Sequence, residues 1–176
     1  MAGPQRTLLQ RLTRVVKHRS FDETDTARAL GSAALARLEE RVRSGEMHHS
    51  GEIRVCVEAG LPLSYLWKDA TPRERALTMF GKLRVWDTEH NNGVLIYLLL
   101  AEHSIEIVAD RGLTRLVPQA EWQAMVATMR DAFRSGNFEA GLLHATEQVD
   151  ALLLRHFPMA EGVRNANELP DAVYLR

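Results

Sequence analysis

The hydrophobic positions of the chain change their period several times, and each period predicts one element of secondary structure. Apolar residues recur every three or four positions over residues 25–44, which is the spacing of a single amphipathic helix. Residues 52–58 alternate instead between apolar and polar, which predicts a strand with one buried face. A further helix begins at Thr71, because Thr71, Pro72 and Glu74 form a capping box with proline at the first helical position.

The second half of the chain predicts two strands followed by two helices. Residues 94–100 are apolar at every position, which is typical of a central strand covered on both faces. Glu102 and His103 make a short turn, and the alternation over residues 105–109 then predicts a strand that returns beside the central one. Two amphipathic helices follow, and the first of them ends at Gly136.

The order of these elements predicts the fold. The first two strands flank a helical crossover and should run parallel in one sheet, whereas the third follows a tight turn and must be antiparallel. We therefore expect an α/β fold, a three-layer α/β/α sandwich with a small mixed β-sheet. In this division residues 21–157 form the domain, residues 1–20 a basic amphipathic helix or arm, and residues 158–176 an extended C-terminal tail.

Composition adds one asymmetry of charge to this picture. The 176 residues have a net charge of −1, which gives no global field for nucleic acid, so we expect no nucleic-acid partner. Residues 1–20, however, carry a net charge of +5 and the remainder −6. Three interpretations of this segment stay open: a helix or frayed arm on the domain, a surface helix in contact with anionic lipid, or an organelle transit peptide. We expect a cytoplasmic protein that can lie peripherally at the membrane.

The common catalytic signatures are absent from the sequence. It contains no phosphate-binding GxxxxGK[ST] loop, no GxGxxG after a strand, no GxSxG elbow and no HExxH helix. The one cysteine, Cys56, cannot form an intramolecular disulfide or a zinc-binding pair. Residues whose side chains can bind a ligand or take part in catalysis are concentrated in the segments 86–93 (WDTEHNNG) and 110–112 (DRG).

Four separated segments together resemble one known family, the TPM domain family. They are Glu52-Ile53-Arg54-Val55, Asn91-Asn92-Gly93 at the start of a buried strand, Asp110-Arg111-Gly112-Leu113 after the return strand, and RSGNFEAGL over residues 134–142. The resemblance covers roughly residues 25–157, and the family includes thylakoid-lumen acid phosphatase-like proteins of photosystem II repair. It implies the same α/β/α sandwich. We expect a cytosolic, bacterial-type member without the leader or the C-terminal membrane anchor that many relatives carry.

The topology brings three separate segments to one edge of the sheet. The first strand starts at Glu52, the parallel second strand starts at Gly93, and the antiparallel third strand ends near residue 110, so their loops should meet. The candidate metal ligands at this edge are Asp87, Glu89 and Asp110. The candidate ligand-binding residues are His90, Asn91, Asn92 and Arg111. Carboxylate and carbonyl oxygens favour a divalent cation such as calcium or magnesium. The loop before the first strand adds Glu46, His48 and His49, and the imidazoles of the two histidines would favour zinc or nickel.

Each of these candidates also has a purely structural interpretation. The Asn-Asn-Gly corner can be a turn whose residues tolerate positive φ and bind nothing. The acids of the preceding loop can be solvated, Asp110 can cap the next loop, and Arg111 can pair with it or with Glu89. A second cluster at the opposite edge is a poorer candidate, because a tight turn leaves little room there; it contains Glu58, Glu102 and His103.

Three functions are compatible with these observations. The first is a non-catalytic binding or assembly module with a protein partner, associated with a membrane complex. The second, implied by the resemblance, is a divalent-metal-dependent phosphatase of acid-phosphatase-like activity. The third is a lipid-surface protein in contact with anionic membrane through residues 1–20. Some family members are described as phosphatases or as binding calcium, and others as auxiliary factors.

Overall fold

The computed structural model of the protein describes residues 6–160 and 167–176. Its helices are α1 (Leu8–Arg19), α2 (Glu23–Ala29), α3 (Ser32–Glu46), α4 (Leu63–Trp67), α5 (Pro72–Lys82), α6 (Arg111–Thr114), α7 (Gln119–Arg134) and α8 (Phe138–His156). Its strands are β1 (Glu52–Glu58), β2 (Gly93–Leu99), β3 (Ser104–Ala109) and β4 (Tyr174–Leu175), and a short 3₁₀ helix spans Leu100–Glu102. Residues 1–5 of the predicted N-terminal segment and 161–166 of the predicted tail lie outside the described residues.

The sheet is mixed, with the strand order β3-β2-β1-β4. Strands β1 and β2 are parallel, with Glu52 opposite Gly93, and β3 is antiparallel to β2, with Val94 opposite Ala109. Both predicted strand directions are therefore confirmed. They follow from the lengths of the connections, since a helical crossover permits parallel pairing and a tight turn does not.

Two apolar cores cover the two faces of this sheet. Ile53, Val55 and Val57 of β1 face a core shared with α3, α7 and α8, whose side chains include Phe133 and Leu142. On the other face, alternate residues of the strands pack against α4 and α5: Cys56, Leu95, Tyr97, Leu99 and Val108. Helices on both faces confirm the predicted α/β/α sandwich.

The prediction of a single helix over residues 25–44 is wrong, because this segment forms two helices, α2 and α3. α2 ends at Ala29, and the backbone of Leu30 (φ −128°, ψ 89°) and Gly31 (ψ 161°) is not helical. Leu30 is fully buried in the core between α3 and the sheet. The helical spacing of apolar residues continues across this break, so the pattern alone did not reveal it.

The second correction concerns β1, whose predicted polar face is also buried. Every residue of the strand is buried, because α4, α5 and the C-terminal residues cover the side that carries its charges. The buried charges have partners: the guanidinium of Arg54 donates to the carbonyls of Pro170 and Ala172, and Glu52 accepts a hydrogen bond from the backbone N–H of Leu169 at 3.1 Å. Burial of charge is tolerated when such partners are present.

The C-terminal residues contribute the fourth strand, which the sequence did not predict. β4 pairs in parallel with β1, with Cys56 opposite Tyr174, and Arg176 accepts from the N–H of Ala59 and donates to Val57. Two residues are too few for their alternation to be recognised in a sequence. Part of the predicted extended tail is thus a sheet edge.

A buried ion pair links β1 to α5. Both oxygens of Glu58 accept hydrogen bonds from Arg75, at 2.8 and 2.7 Å, and each of the two side chains is 1% exposed. The hydroxyl of Tyr97 on β2 donates to the same carboxylate at 2.7 Å, and the Arg75 guanidinium lies over the ring of Tyr65. Three elements are therefore held together by one carboxylate.

Candidate functional site

Two of the three predicted loop segments are joined by hydrogen bonds at one edge of the sheet, and we call residues 87–92 and 110–112 together the loop rim. The N–H of Asp110 donates to the carbonyl of Gly93, and the N–H of Gly112 donates to that of Asn91, each at 2.9 Å. Arg111 Nε also donates to Asn91 Oδ1 at 2.8 Å. The rim therefore brings together the predicted segment before β2 and the predicted segment after β3.

The Asn-Asn-Gly corner has a different role for each of its residues. Asn91 has a positive φ of 53°, as the turn interpretation predicts. Asn92 is fully buried and fastens the rim to the loop before β1, because its amide donates to the carbonyl of Ser50 at 3.0 Å. Gly93 is needed for space, since a Cβ there would lie 1.9 Å from the carbonyl oxygen of Val85.

Two oxygen atoms of the rim are buried without a hydrogen-bond donor in the described part of the chain: Asn92 Oδ1 and Asp110 Oδ2. The other oxygen of Asp110 accepts from the N–H of Arg111 at 2.6 Å and thereby caps α6. Unsatisfied buried acceptors are rare in folded proteins. Carboxylate and amide oxygens are ligands that calcium and magnesium accept, so the chemistry of these two atoms fits such a cation.

The structure does not gather the three predicted metal ligands into one cluster. Asp87 is half-exposed and pairs with Arg84 at 3.0 Å, and the backbone N–H of Glu89 donates to the Glu168 carboxylate at 3.0 Å. Over residues 6–160 and 167–176, no three His, Cys, Asp or Glu side chains are placed so as to hold a metal ion. The metal assignment to Asp87, Glu89 and Asp110 stays a prediction, as does ligand binding by the exposed His90.

The buried polar residues just before β1 make contacts within the fold and do not belong to the loop rim. His48 is exposed, whereas His49 is buried between the carbonyl of Gly51 and the carboxylate of Asp150, at 3.0 and 2.9 Å. Glu46 accepts a hydrogen bond from the N–H of Ile53, and burial raises the pKa of its carboxyl to about 8. These contacts hold α3 and α8 against the start of β1.

At the opposite edge of the sheet, Glu102 anchors α1 instead of joining the predicted cluster. Glu102 Oε1 accepts from Arg14 Nε at 2.7 Å and from His18 Nε2 at 2.9 Å. His18 Nδ1 accepts from the N–H of Leu61, which leaves Nε2 as the donor to Glu102. Burial by itself would raise the pKa of Glu102, but the hydrogen bonds from His18 and Arg14 outweigh it and lower the pKa to about 2.

Helix α1 therefore rests on the domain by its cationic side, a geometry that the sequence did not predict. Arg14 and His18 are buried, and Asp69 lies 2.6 Å from Arg6 and 3.2 Å from Arg14. Val15 also packs against the domain, whereas the other hydrophobic residues of the helix point to solvent. We call these four exposed residues the apolar stripe of α1: Leu8 (86% exposed), Leu9 (74%), Leu12 (62%) and Val16 (62%).

The fold and the rim together define a small α/β/α sandwich with a loop site at one sheet edge, and comparison with known proteins identifies the family. The model of the TPM domain matches residues 24–152. The chain belongs to the TPM domain family, which confirms the resemblance found in the sequence.

Solved structures show the same fold. The chain is similar to the BA42 protein of the psychrophilic bacterium Bizionia argentinensis, with 27% identity and a TM-score of 0.71, over 82% of this chain and 94% of that one. It is also similar in fold to the N-terminal domain of a protein from P. gingivalis, with 20% identity and a TM-score of 0.58, over 81% of this chain and 96% of that one. No curated protein matches the chain.

Within residues 6–160 and 167–176, no helix has the length and hydropathy needed to cross a bilayer.

Proposed function

We propose that this TPM-domain protein is a non-catalytic binding module that attaches to an anionic membrane surface, and to a complex located there, through the apolar stripe of α1. The observation that carries the proposal is the orientation of α1, which exposes four large hydrophobic side chains while its cationic side is docked. A contiguous exposed apolar surface is unusual on a soluble monomer and commonly marks an interaction site.

The helix is organised before it meets a membrane. Thr7 and Gln10 form a reciprocal capping box at its start, and Arg14 and His18 fix its rotation on the domain. Binding therefore requires little additional ordering of the chain. A disordered arm, in contrast, would lose conformational entropy on binding. Each leucine that enters the acyl boundary gains about 1.5–3 kcal/mol.

The positive charge of α1 makes a smaller contribution to membrane binding than the apolar stripe does. Arg6, Arg11 and Arg14 surround Asp69, and Glu102 also contacts Arg14, so two carboxylates offset part of the charge of these three arginines. Lys17 and Arg19 are exposed at the end of the helix and can attract anionic headgroups. Hydrophobic burial should therefore dominate the attachment, with a moderate dependence on salt.

Vesicle cosedimentation tests this proposal. The natural chain should bind mixed phosphatidylcholine–phosphatidylglycerol vesicles, and the triple variant Leu8→Ser, Leu9→Ser, Leu12→Ser should bind at least about tenfold more weakly, because it loses the buried apolar area. The matched control replaces three half-exposed leucines elsewhere, Leu77, Leu116 and Leu154, with serine. Circular dichroism should show that both variants keep their helix content.

The control variant should sediment with the vesicles as the natural chain does. Absence of binding by the natural chain, or equal loss of binding in the two triple variants, would overturn the proposal.

A second candidate function, a divalent-cation-dependent phosphomonoesterase, is supported by the two unsatisfied oxygens of the rim. Asn92 Oδ1 and Asp110 Oδ2 would hold the cation, which would polarise a phosphoryl oxygen and lower the pKa of a bound water. Arg111, placed by its hydrogen bond to Asn91, would orient the phosphate. Asp87 and Glu89 belong to the predicted set of metal ligands.

We expect hydrolysis of p-nitrophenyl phosphate to require added calcium, magnesium or manganese under this second function. Asp110→Asn should reduce turnover by about 100-fold, because it weakens the cation site while keeping a cap for α6. Asp131→Asn, an exposed acid on α7, is the control. Calcium titration calorimetry on the same proteins measures the site directly. Turnover that is independent of the metal, or equal in the two variants, would contradict this function.

A further inference from the structure

A cavity of about 290 Å³ lies beside the edge strand β3, between α5 and α7. Its apolar wall is formed by Ile107 and Ala109 of β3 with Trp122 and Val126 of α7. Its size is near the lower limit of pockets that hold small organic ligands, about 300–1,000 Å³. Neither the rim residues Asp110 and Asn92 nor α1 contributes to its lining.

The polar lining of this cavity contains two arginine side chains. Arg73 and Arg130 enter from opposite sides, on α5 and α7, together with the side chains of Gln119, Gln123 and Thr114. Among the described residues Glu106 is the one acid of the lining, and it lies 3.7 Å from Arg73. Arg130 forms no ion pair with any side chain in the described part of the chain, so the cavity has an excess of positive charge.

Trp122 contributes a further unused donor. Its side chain is largely buried against β3, and its indole Nε1 has no hydrogen-bond acceptor among the described residues. Buried indole N–H groups usually have a partner. The residue that carries this unpaired donor is also one of those that line the cavity.

The geometry of β3 argues against an added peptide strand as the occupant. In an antiparallel pair, alternate residues hydrogen-bond to the partner strand. Asp110 bonds to Gly93 in this way, so the backbone N–H and C=O of Ile107, three residues earlier, point away from β2 toward the open edge. The guanidinium of Arg73 already donates to that carbonyl. An incoming strand would have to displace this contact, which protects the edge in the way natural sheets protect theirs.

We propose that this cavity is a binding site for a small organic anion, in which Arg130 pairs with a carboxylate and Trp122, Val126 and Ile107 contact an apolar body. Guanidinium groups recognise carboxylates and phosphates through paired N–H donors, and the flat indole suits a planar ligand. The site is separate from the loop rim and from α1, and it does not depend on either proposed function.

The test uses the resolved indole N–H signals of the three tryptophans in the nuclear magnetic resonance spectrum of the full chain. Titration with benzoate should shift the Trp122 signal saturably, while Trp67 and Trp86, both on other surfaces, should stay unchanged. Phenylphosphonate distinguishes a phosphate-type ligand from a carboxylate, and benzyl alcohol is the neutral probe of the same shape.

Arg130→Gln should weaken benzoate binding by about tenfold, because it removes a charged hydrogen-bond donor. Arg134→Gln, one turn further along the exposed side of α7, should leave the affinity unchanged. Tighter binding of phenylphosphonate with the same dependence on Arg130 would support the anion site with a phosphate-type ligand. No saturable shift at Trp122, equal affinity for benzyl alcohol, or equal affinities of the two variants would overturn the proposal.

Discussion

Arg75→Met should unfold at a much lower urea concentration than the natural chain, with a loss of roughly 3–5 kcal/mol in the free energy of unfolding. The reason is that Glu58, which is 1% exposed, would lose its buried countercharge and both of its hydrogen bonds to Arg75. Tyr97 would be left as its main buried donor. Methionine preserves most of the buried length of the arginine, so the charge is the principal change.

The control for this variant is the same substitution in an exposed ion pair. Arg37 pairs with Glu139 at 2.6 Å, but its side chain is 58% exposed, so Arg37→Met should unfold at nearly the same urea concentration as the natural chain. The double variant Glu58→Leu, Arg75→Met should recover much of the loss, since it removes both buried charges. A double variant as unstable as Arg75→Met would show that shape, and not charge, holds this part of the core.

Gly93→Ala should also be strongly destabilising, by about 3 kcal/mol. The new methyl group would lie 1.9 Å from the carbonyl oxygen of Val85, which is a backbone atom and cannot rotate away as a side chain would. Relief requires displacement of the loop from β2, where Gly93 also accepts the hydrogen bond from Asp110. Thermal unfolding measures the effect as a lower midpoint.

The matched control for this prediction is Gly81→Ala in α5. A Cβ at Gly81 meets no atom within 4 Å, and alanine favours helix, so this variant should be neutral or up to about 1 kcal/mol more stable. Equal midpoints for the two variants would contradict the steric role of Gly93.

Several elements could be predicted because the information lies within a few residues. The capping box of Thr71 and Glu74, with Pro72 at the first helical position, specifies the start of α5, and the structure contains it in full. The apolar run of β2 predicts a strand buried on both faces, and the structure agrees. The parallel and antiparallel pairings then follow from connection lengths.

Other features could not be predicted, because they depend on residues far apart in the chain. The alternation of β1 indicated an exposed polar face, but the partners that allow this face to be buried are Arg75 and the carbonyls near residues 170–172. The break between α2 and α3 likewise depends on Leu30 entering the core. Neither signal is visible in the local period.

The candidate site was predictable in the same limited sense. Topology placed the segments around Asn91 and Asp110 at one edge, because strand direction fixes which ends meet. It did not show which atoms lack partners, since the unsatisfied oxygens of Asn92 and Asp110 become apparent only when every neighbouring donor is placed. The cavity beside β3 had no sequence signal, because α5, β3 and α7 contribute to it from separate parts of the chain.

By itself, the sequence determined the order and direction of the principal strands and the layered α/β/α architecture, because periodicity, caps and connection lengths act locally. Its motifs resembled the TPM domain family, which the family comparison confirms. Tertiary structure alone decided which side of α1 meets the domain. A lone amphipathic helix is expected to bury its leucines, but here Asp69 and Glu102 come from distant segments and satisfy its arginines. The charged contacts on one side fix the helix and leave the apolar stripe of α1 exposed.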